Sequence, residues 1–143
     1  MHKPIQLQLG DLIPALTLPP VSRTTLALFA GASGDHNPMH IDIDVARGAG
    51  MSDVFAQGML PMAYLGRLLT QWQPQAQLRS FGVRFAAMTQ LGDEIVCSGQ
   101  VTEMIEADGE TCARLSITAV NQTGDTRLSG EAVVAINQGD RQS

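Results

Sequence analysis

The sequence predicts an α+β fold: one domain in which a long apolar helix is wrapped by a curved antiparallel β-sheet. Two observations carry that expectation. The stretch "GMLPMAYLGRLLTQW", Gly58 to Trp72, is apolar on almost every side, and everything after it shifts from a helical to an alternating period. A third observation bounds the size. The 143 residues, 44% hydrophobic and 16% charged, suffice for one packed core and leave no long disordered segment. No repeat, low-complexity run or linker divides the chain, so 1–143 is read as a single domain whose last stretch, 137–143 ("NQGDRQS"), is a frayed end.

The elements follow in order. "LIPALTLPPV", apolar and proline-rich, reads as a short edge strand or extended arm. In "SRTTLALFAGAS", Ser22 or Thr24 caps a helix that turns Leu26, Phe29 and Ala30 inward and stops near Gly34. A short helix is expected from Asp42 to Arg47, then a glycine-rich turn. The "GAGMSD" in that turn is not a dinucleotide fingerprint, because Asp53 stands where a third glycine is needed and no strand precedes it. In the apolar helix Pro61 falls in the first turn, where backbone N–H groups lack intrahelical partners anyway. A helix greasy all round is expected to be surrounded by other structure.

After Trp72 come "SFGVRFAAM", "EIVCSGQVTEMI", "TCARLSITAV" and "TRLSGEAVVAI", which alternate or run apolar and are rich in β-branched residues. "EADGE" and "NQTGD" are turn sequences between them, so an antiparallel meander is expected. A sheet curling around a central helix satisfies both patterns, and this is the hot-dog architecture. Such a sheet leaves edges to protect, which points to a dimer.

Charge narrows the function. A net charge of -5 argues against a nucleic-acid partner, whose binding rests on clustered Lys and Arg. Local arginines still suffice for a small anionic ligand, and Arg47, Arg67, Arg79 and Arg84 are available. No apolar run is long enough to cross a membrane, the first residues are polar, and a cytoplasmic setting is expected. Cys97 and Cys112 lie in strand-like segments without metal or redox spacing and read as buried thiols. "NQT" at Asn121 matches a glycosylation sequon, which matters only in a secreted protein.

The chemistry concentrates in "SGDHNPMH", Ser33 to His40. His36 and His40 have the i, i+4 spacing of helical zinc sites, but Pro38 interrupts a regular helix and no third ligand cluster is evident, so no metal is expected. A plain loop is the second reading, with Gly34 ending the helix and Asp35 and Asn37 making turn bonds. The third is acid/base chemistry. The Asn-Pro kink turns Asp35 and His40 toward one point, where a carboxylate and an imidazole sharing one water transfer protons near neutral pH.

"FAGASGDHNPMHID" followed by "FAQGML" resembles the MaoC-like, or (R)-specific enoyl-CoA hydratase, family. That family carries Gly-Asp-x-Asn-Pro-x-His and then His-Gly-Met-Leu at the start of the hot-dog helix. "GDEIVCSGQV" and "SGEAVVAI" are similar to its later strands, and the resemblance spans nearly the whole chain. It implies addition of water to a trans-2-enoyl-CoA, with Asp35 and His40 as the catalytic dyad and the Gly58 backbone N–H binding the thioester oxygen. The helix start makes physical sense as an oxyanion site, since it offers free N–H groups and partial positive charge. Asn37, Gln57, Gly66 and Arg84 are counted with Gly58 as substrate-binding residues. No cofactor is implied, coenzyme A being part of the substrate.

Two positions depart from the family. Gln57 stands where the family commonly has His, and Gln cannot titrate. Gly66 leaves room for longer acyl chains if it borders the acyl pocket, or else serves close helix–sheet packing. Arg84 is the arginine expected to reach coenzyme A phosphates, whereas Tyr64 and Trp72 read as packing residues. A thioesterase of the same fold is the alternative activity; it usually takes its acid or base from the central helix, and Met59 to Trp72 holds no Asp, Glu or His. A homodimer or higher hot-dog oligomer is expected. The alternative is a heteromer in which this chain is the catalytic half, acting on a bulky acyl group such as a steroid side chain.

Overall fold

In the computed structural model, which describes residues 7–136, the chain forms β1 (Leu16–Thr17), α1 (Arg23–Ser33), α2 (Ile43–Gly48), α3 (Met59–Trp72), β2 (Leu78–Phe85), β3 (Val96–Ala107), β4 (Glu110–Val120) and β5 (Thr126–Ala135). Short 3-10 turns occupy Pro38–His40 and Gln75–Gln77. The tail expected over 137–143 lies outside the described residues. All strand pairs are antiparallel, in the order β1-β3-β4-β5-β2, and the sheet curls around α3 as a hot-dog fold.

Local chemistry sets the boundaries. The Ser22 hydroxyl accepts the Thr25 N–H at 3.1 Å and starts α1. Gly34, at φ 79°, ends it by donating to the Ala30 carbonyl, a left-handed cap that glycine adopts without strain. Asp42 caps α2 in the same way as Ser22 caps α1. The β3–β4 connection is a two-residue hairpin, Asp108-Gly109, with positive φ at both positions, as the strand twist requires. In the next turn the Asn121 Oδ1 accepts from the Thr123 N–H, the Thr123 hydroxyl and the Asp125 N–H. The sequon asparagine is therefore a buried turn residue.

The core lies between α3 and the concave face of the sheet. Along β4 the alternate residues Ala113, Leu115, Ile117 and Ala119 are fully buried, and Leu60, Leu65, Leu68 and Leu69 of α3 pack over that face. Burying each such leucine contributes about 2 kcal/mol. Cys97 and Cys112 are buried and unpaired.

Two expectations need correction. The meander holds for β3, β4 and β5 only. β2 docks on β5 at the far edge, and residues 86–95 cross the end of the sheet before β3 begins. No tight-turn pair joins β2 to β3, and α3 on the concave face delivers the chain to the β5 side. Second, α3 is not covered all round by this chain: Met59 and Ala63 are exposed. No helix among the described residues is long and apolar enough to cross a membrane.

Candidate active site

The Asn-Pro segment forms a built turn. The Asp35 N–H is held by the Ser33 hydroxyl at 3.1 Å, and the Asp35 Oδ1 accepts the Asn37 N–H at 3.2 Å. The Asn37 Oδ1 accepts the Met39 N–H at 3.0 Å and caps the 3-10 turn, where Pro38 takes a first-turn position. These bonds leave the second carboxylate oxygen of Asp35 free to face His40, and Oδ2 stands 3.9 Å from His40 Nε2. His36, between them, is exposed, while His40 is only 8% exposed.

The far side of the imidazole fixes its chemistry. His40 Nδ1 lies 2.7 Å from the Phe55 carbonyl oxygen, and the Phe55 ring meets the imidazole edge-on, with centroids 5.0 Å apart. A carbonyl only accepts, so Nδ1 carries the proton and Nε2 of the neutral ring presents a lone pair. Two acceptors, Nε2 and Oδ2, thus face each other. Acceptors each about 2.8 Å from one water oxygen lie roughly 4 to 4.5 Å apart, close to the separation here.

The segment that carries Phe55 is itself pinned. Arg23 at the start of α1 makes a two-pronged ion pair with Asp53, at 3.0 and 2.7 Å. The guanidinium holds the Asp53 carboxyl below the usual carboxylate value, helped by the Val54 N–H on the same group.

His40 and Phe55 form one wall of a cavity of about 390 Å³, lined further by Gly58, Pro61, Phe85, Met88 and Leu128. Gly58 is the N-cap of α3, with φ -57° and ψ -34°, so its N–H belongs to the helix-start donors that lack an intrahelical acceptor. A side chain there would press on the Phe85 ring, 3.4 Å from the added carbon. The cavity therefore brings together an imidazole lone pair, a backbone N–H at a helix start and a largely apolar wall.

The family model for the MaoC-like domain matches residues 14–123. The chain belongs to the MaoC-like family. This MaoC-like chain is 30% identical over 113 residues to an (R)-specific enoyl-CoA hydratase of Aeromonas caviae, covering 78% of this chain and 83% of the relative. It is 28% identical over 102 residues to the mitochondrial 3-hydroxyacyl-acyl-carrier-protein dehydratase FERN of Solanum lycopersicum, spanning 71% of this chain but only 62% of that relative. Among solved structures, the (R)-hydratase from A. caviae involved in PHA biosynthesis superposes with a TM-score of 0.80 at 26% identity, over 92% of this chain and 98% of that one. The chain is accordingly a hydro-lyase of the MaoC-like hydratase and dehydratase group.

The remaining sequence-selected residues of this MaoC-like domain fall in different places. Asn37 serves the turn that aims Asp35. Gln57 is fully buried and outside the cavity lining; its Nε2 donates to the Leu26 carbonyl of α1 at 3.1 Å, and its Oε1 has no partner among the described residues. Gly66 faces the Phe81 ring at 3.7 Å from an added carbon and does not line the cavity. Arg84 shares the outer face of β2 with Ser80 and borders a separate polar groove with Arg114 and Glu131, opposite in strand alternation to Phe85 of the cavity. Sequence reasoning missed Phe55, Phe85 and Met88. A backbone carbonyl leaves no side-chain signature, so Phe55 had none to offer; Phe85 and Met88 are a strand end and loop whose apolar side chains look like core.

Proposed function

We propose that this chain hydrates trans-2-enoyl-CoA thioesters, or dehydrates the matching (R)-3-hydroxyacyl-CoA. Asp35 and His40 share the reacting water, and the Gly58 N–H binds the thioester oxygen. The observation that carries this reading is the pair of acceptors, Asp35 Oδ2 and His40 Nε2, 3.9 Å apart, with His40 itself lining a cavity that also holds a helix-start N–H. Both acceptors receive hydrogen bonds from one water and so aim its oxygen lone pair at C3. As oxygen bonds to C3, Asp35 takes the proton released from the water. The C2–C3 π electrons move toward the thioester, whose oxygen gains charge beside Gly58, where a helix-start donor binds the enolate more strongly than the ground-state carbonyl. The proton taken up by Asp35 then passes to C2 while His40 Nε2 keeps its hydrogen bond to the incoming oxygen, so water is added with no net proton change. The chemistry calls on no cofactor beyond the coenzyme A of the substrate.

The FERN relative favours a second reading in which the acyl group rides on an acyl-carrier protein. One assay separates the cases. Crotonyl-CoA, a long-chain trans-2-enoyl-CoA and the corresponding carrier-protein thioester are each added to purified protein, and loss of the conjugated-thioester absorbance is followed. Loss without free thiol on the CoA substrates supports the proposal, and loss only on the protein-bound substrate supports the second reading. Free thiol would overturn both in favour of a thioesterase.

A homodimer fits the surface. β2 is an edge strand that ends on Phe85, 53% exposed, and on α3 Met59, also 53% exposed, and Ala63 one turn later are exposed apolar residues. A second copy is the proposed cover. A mass in solution of twice the chain supports it; a monomer that is inactive alone points to an unlike partner chain.

A further inference from the structure

The crossing from β2 to β3 is fastened by one residue at both ends. The Arg127 carbonyl accepts the Ala86 N–H at 2.8 Å and the Ala87 N–H at 3.2 Å, while its guanidinium Nε donates to Asp93 Oδ2 at 3.0 Å. That ion pair is buried, with the two side chains 14% and 6% exposed. The same Asp93 oxygen accepts the Gln90 N–H at 2.8 Å.

Between the two anchors, Ala86 to Thr89 line the cavity. The loop then braces the segment ahead of α3. The Ala56 N–H donates to the Thr89 carbonyl at 2.8 Å, and Phe55 and Gln90 form an antiparallel bridge. Phe55 therefore has the loop on one side and the His40 imidazole on the other.

We propose that Arg127 and Asp93, which touch no reacting atom, are positioning residues: their buried pair fixes the 86–93 loop, the loop fixes the Phe55 carbonyl, and that carbonyl fixes the tautomer of His40. The link to catalysis rests on the dyad reading above; the link to the tautomer does not. A buried pair of opposite charges suits this task because removing either partner leaves the other uncompensated, so the pair holds one geometry.

The test uses the whole protein labelled with 15N-histidine, without substrate. In the wild type His40 shows a protonated Nδ1 and a bare Nε2. In Asp93→Asn and Arg127→Gln the Nε2-protonated form that free histidine prefers grows in, and Arg127→Lys recovers part of the original signature. Where a single variant does not fold, the double variant Asp93→Asn/Arg127→Gln, with no unpaired buried charge, carries the same measurement. With enoyl thioester, kcat falls about 10- to 100-fold while KM stays within about 3-fold, the mark of a misaligned group rather than lost binding. Folded variants whose His40 signature matches the wild type overturn the proposal, whatever the assay shows. An altered signature with unchanged kcat overturns only the catalytic link.

Discussion

His40 gives its Nδ1 proton to the Phe55 carbonyl at 2.7 Å, and that bond leaves its Nε2 lone pair facing Asp35 across 3.9 Å. The residue that supplies the carbonyl lies fifteen positions along the chain from the imidazole it orients. The two members of the proposed dyad differ in setting, since Asp35 is exposed and His40 buried, and their variants should differ accordingly.

Asp35→Asn is expected to lose at least ~100-fold in kcat, the low end for a positioned acid or base, with its melting temperature nearly unchanged. The amide oxygen still accepts the Asn37 N–H, so the turn survives. His40→Ala should lose activity and also melt earlier, because it empties a buried site against Phe55. Equal melting losses in both variants would contradict the split.

Gly58→Pro tests the proposed oxyanion donor directly. The φ of -57° suits proline, so the substitution removes the N–H while keeping the helix start. A loss of about 100- to 1000-fold in kcat is expected. Gly58→Ala keeps the N–H and adds only a methyl against Phe85, so it should retain far more activity. Steady-state kinetics on the two variants decide it; equal losses would mean that crowding, not the donor, matters.

Gln57 is expected to be structural. Gln57→Leu loses one bond to the Leu26 carbonyl but also removes an Oε1 with no partner among the described residues, so stability should change by less than about 1 kcal/mol. Gln57→Glu places a carboxyl in the same buried spot. Burial raises its folded-state pKa, so the variant is most stable below the unfolded glutamate value of about 4.3 and loses stability as pH rises. Melting curves from pH 4 to 8 should show that fall, and a flat profile would rule it out.

Gly130→Ala should be among the most damaging small substitutions. Its added carbon would run into the Gly82 carbonyl oxygen and lie 2.8 Å from Val83 Cα, both of them backbone on the paired strand. A loss of about 3 kcal/mol is expected from such overpacking. Gly82→Ala, across the same ladder, meets nothing within 4 Å among the described residues and should be tolerated. Denaturant unfolding of the two variants provides the comparison.

Burial pushes the Cys97 thiol up to about 12. The folded-state pKa lies above the unfolded value of about 8.5, so the associated stability is intact below that value and is lost as pH rises from there toward 12. In the folded protein at pH 8, Cys97 should resist alkylation and react only on unfolding. Rapid native labelling at Cys97, read by peptide mass, would contradict this.

Much of the molecule was legible in the sequence because its signals are local. The all-round apolarity of Met59–Trp72 marks a central helix, the Asp108-Gly109 pair specifies a hairpin, and Gly34 with Asn37 and Pro38 shapes a turn in which Asp35 and His40 converge. Each is chemistry acting over a few residues. The tertiary structure alone decided the rest. Alternation tells which strand residues share a face but not which face turns inward, so Arg84 went to the outer groove while Phe85 went to the cavity. Pattern also does not say which strand is a neighbour, and β2 lies beside β5 rather than β3. Nor does residue type fix the tautomer of His40. That depends on a backbone carbonyl brought near by the packing of α3 and the 86–93 loop, and every residue carries the same carbonyl.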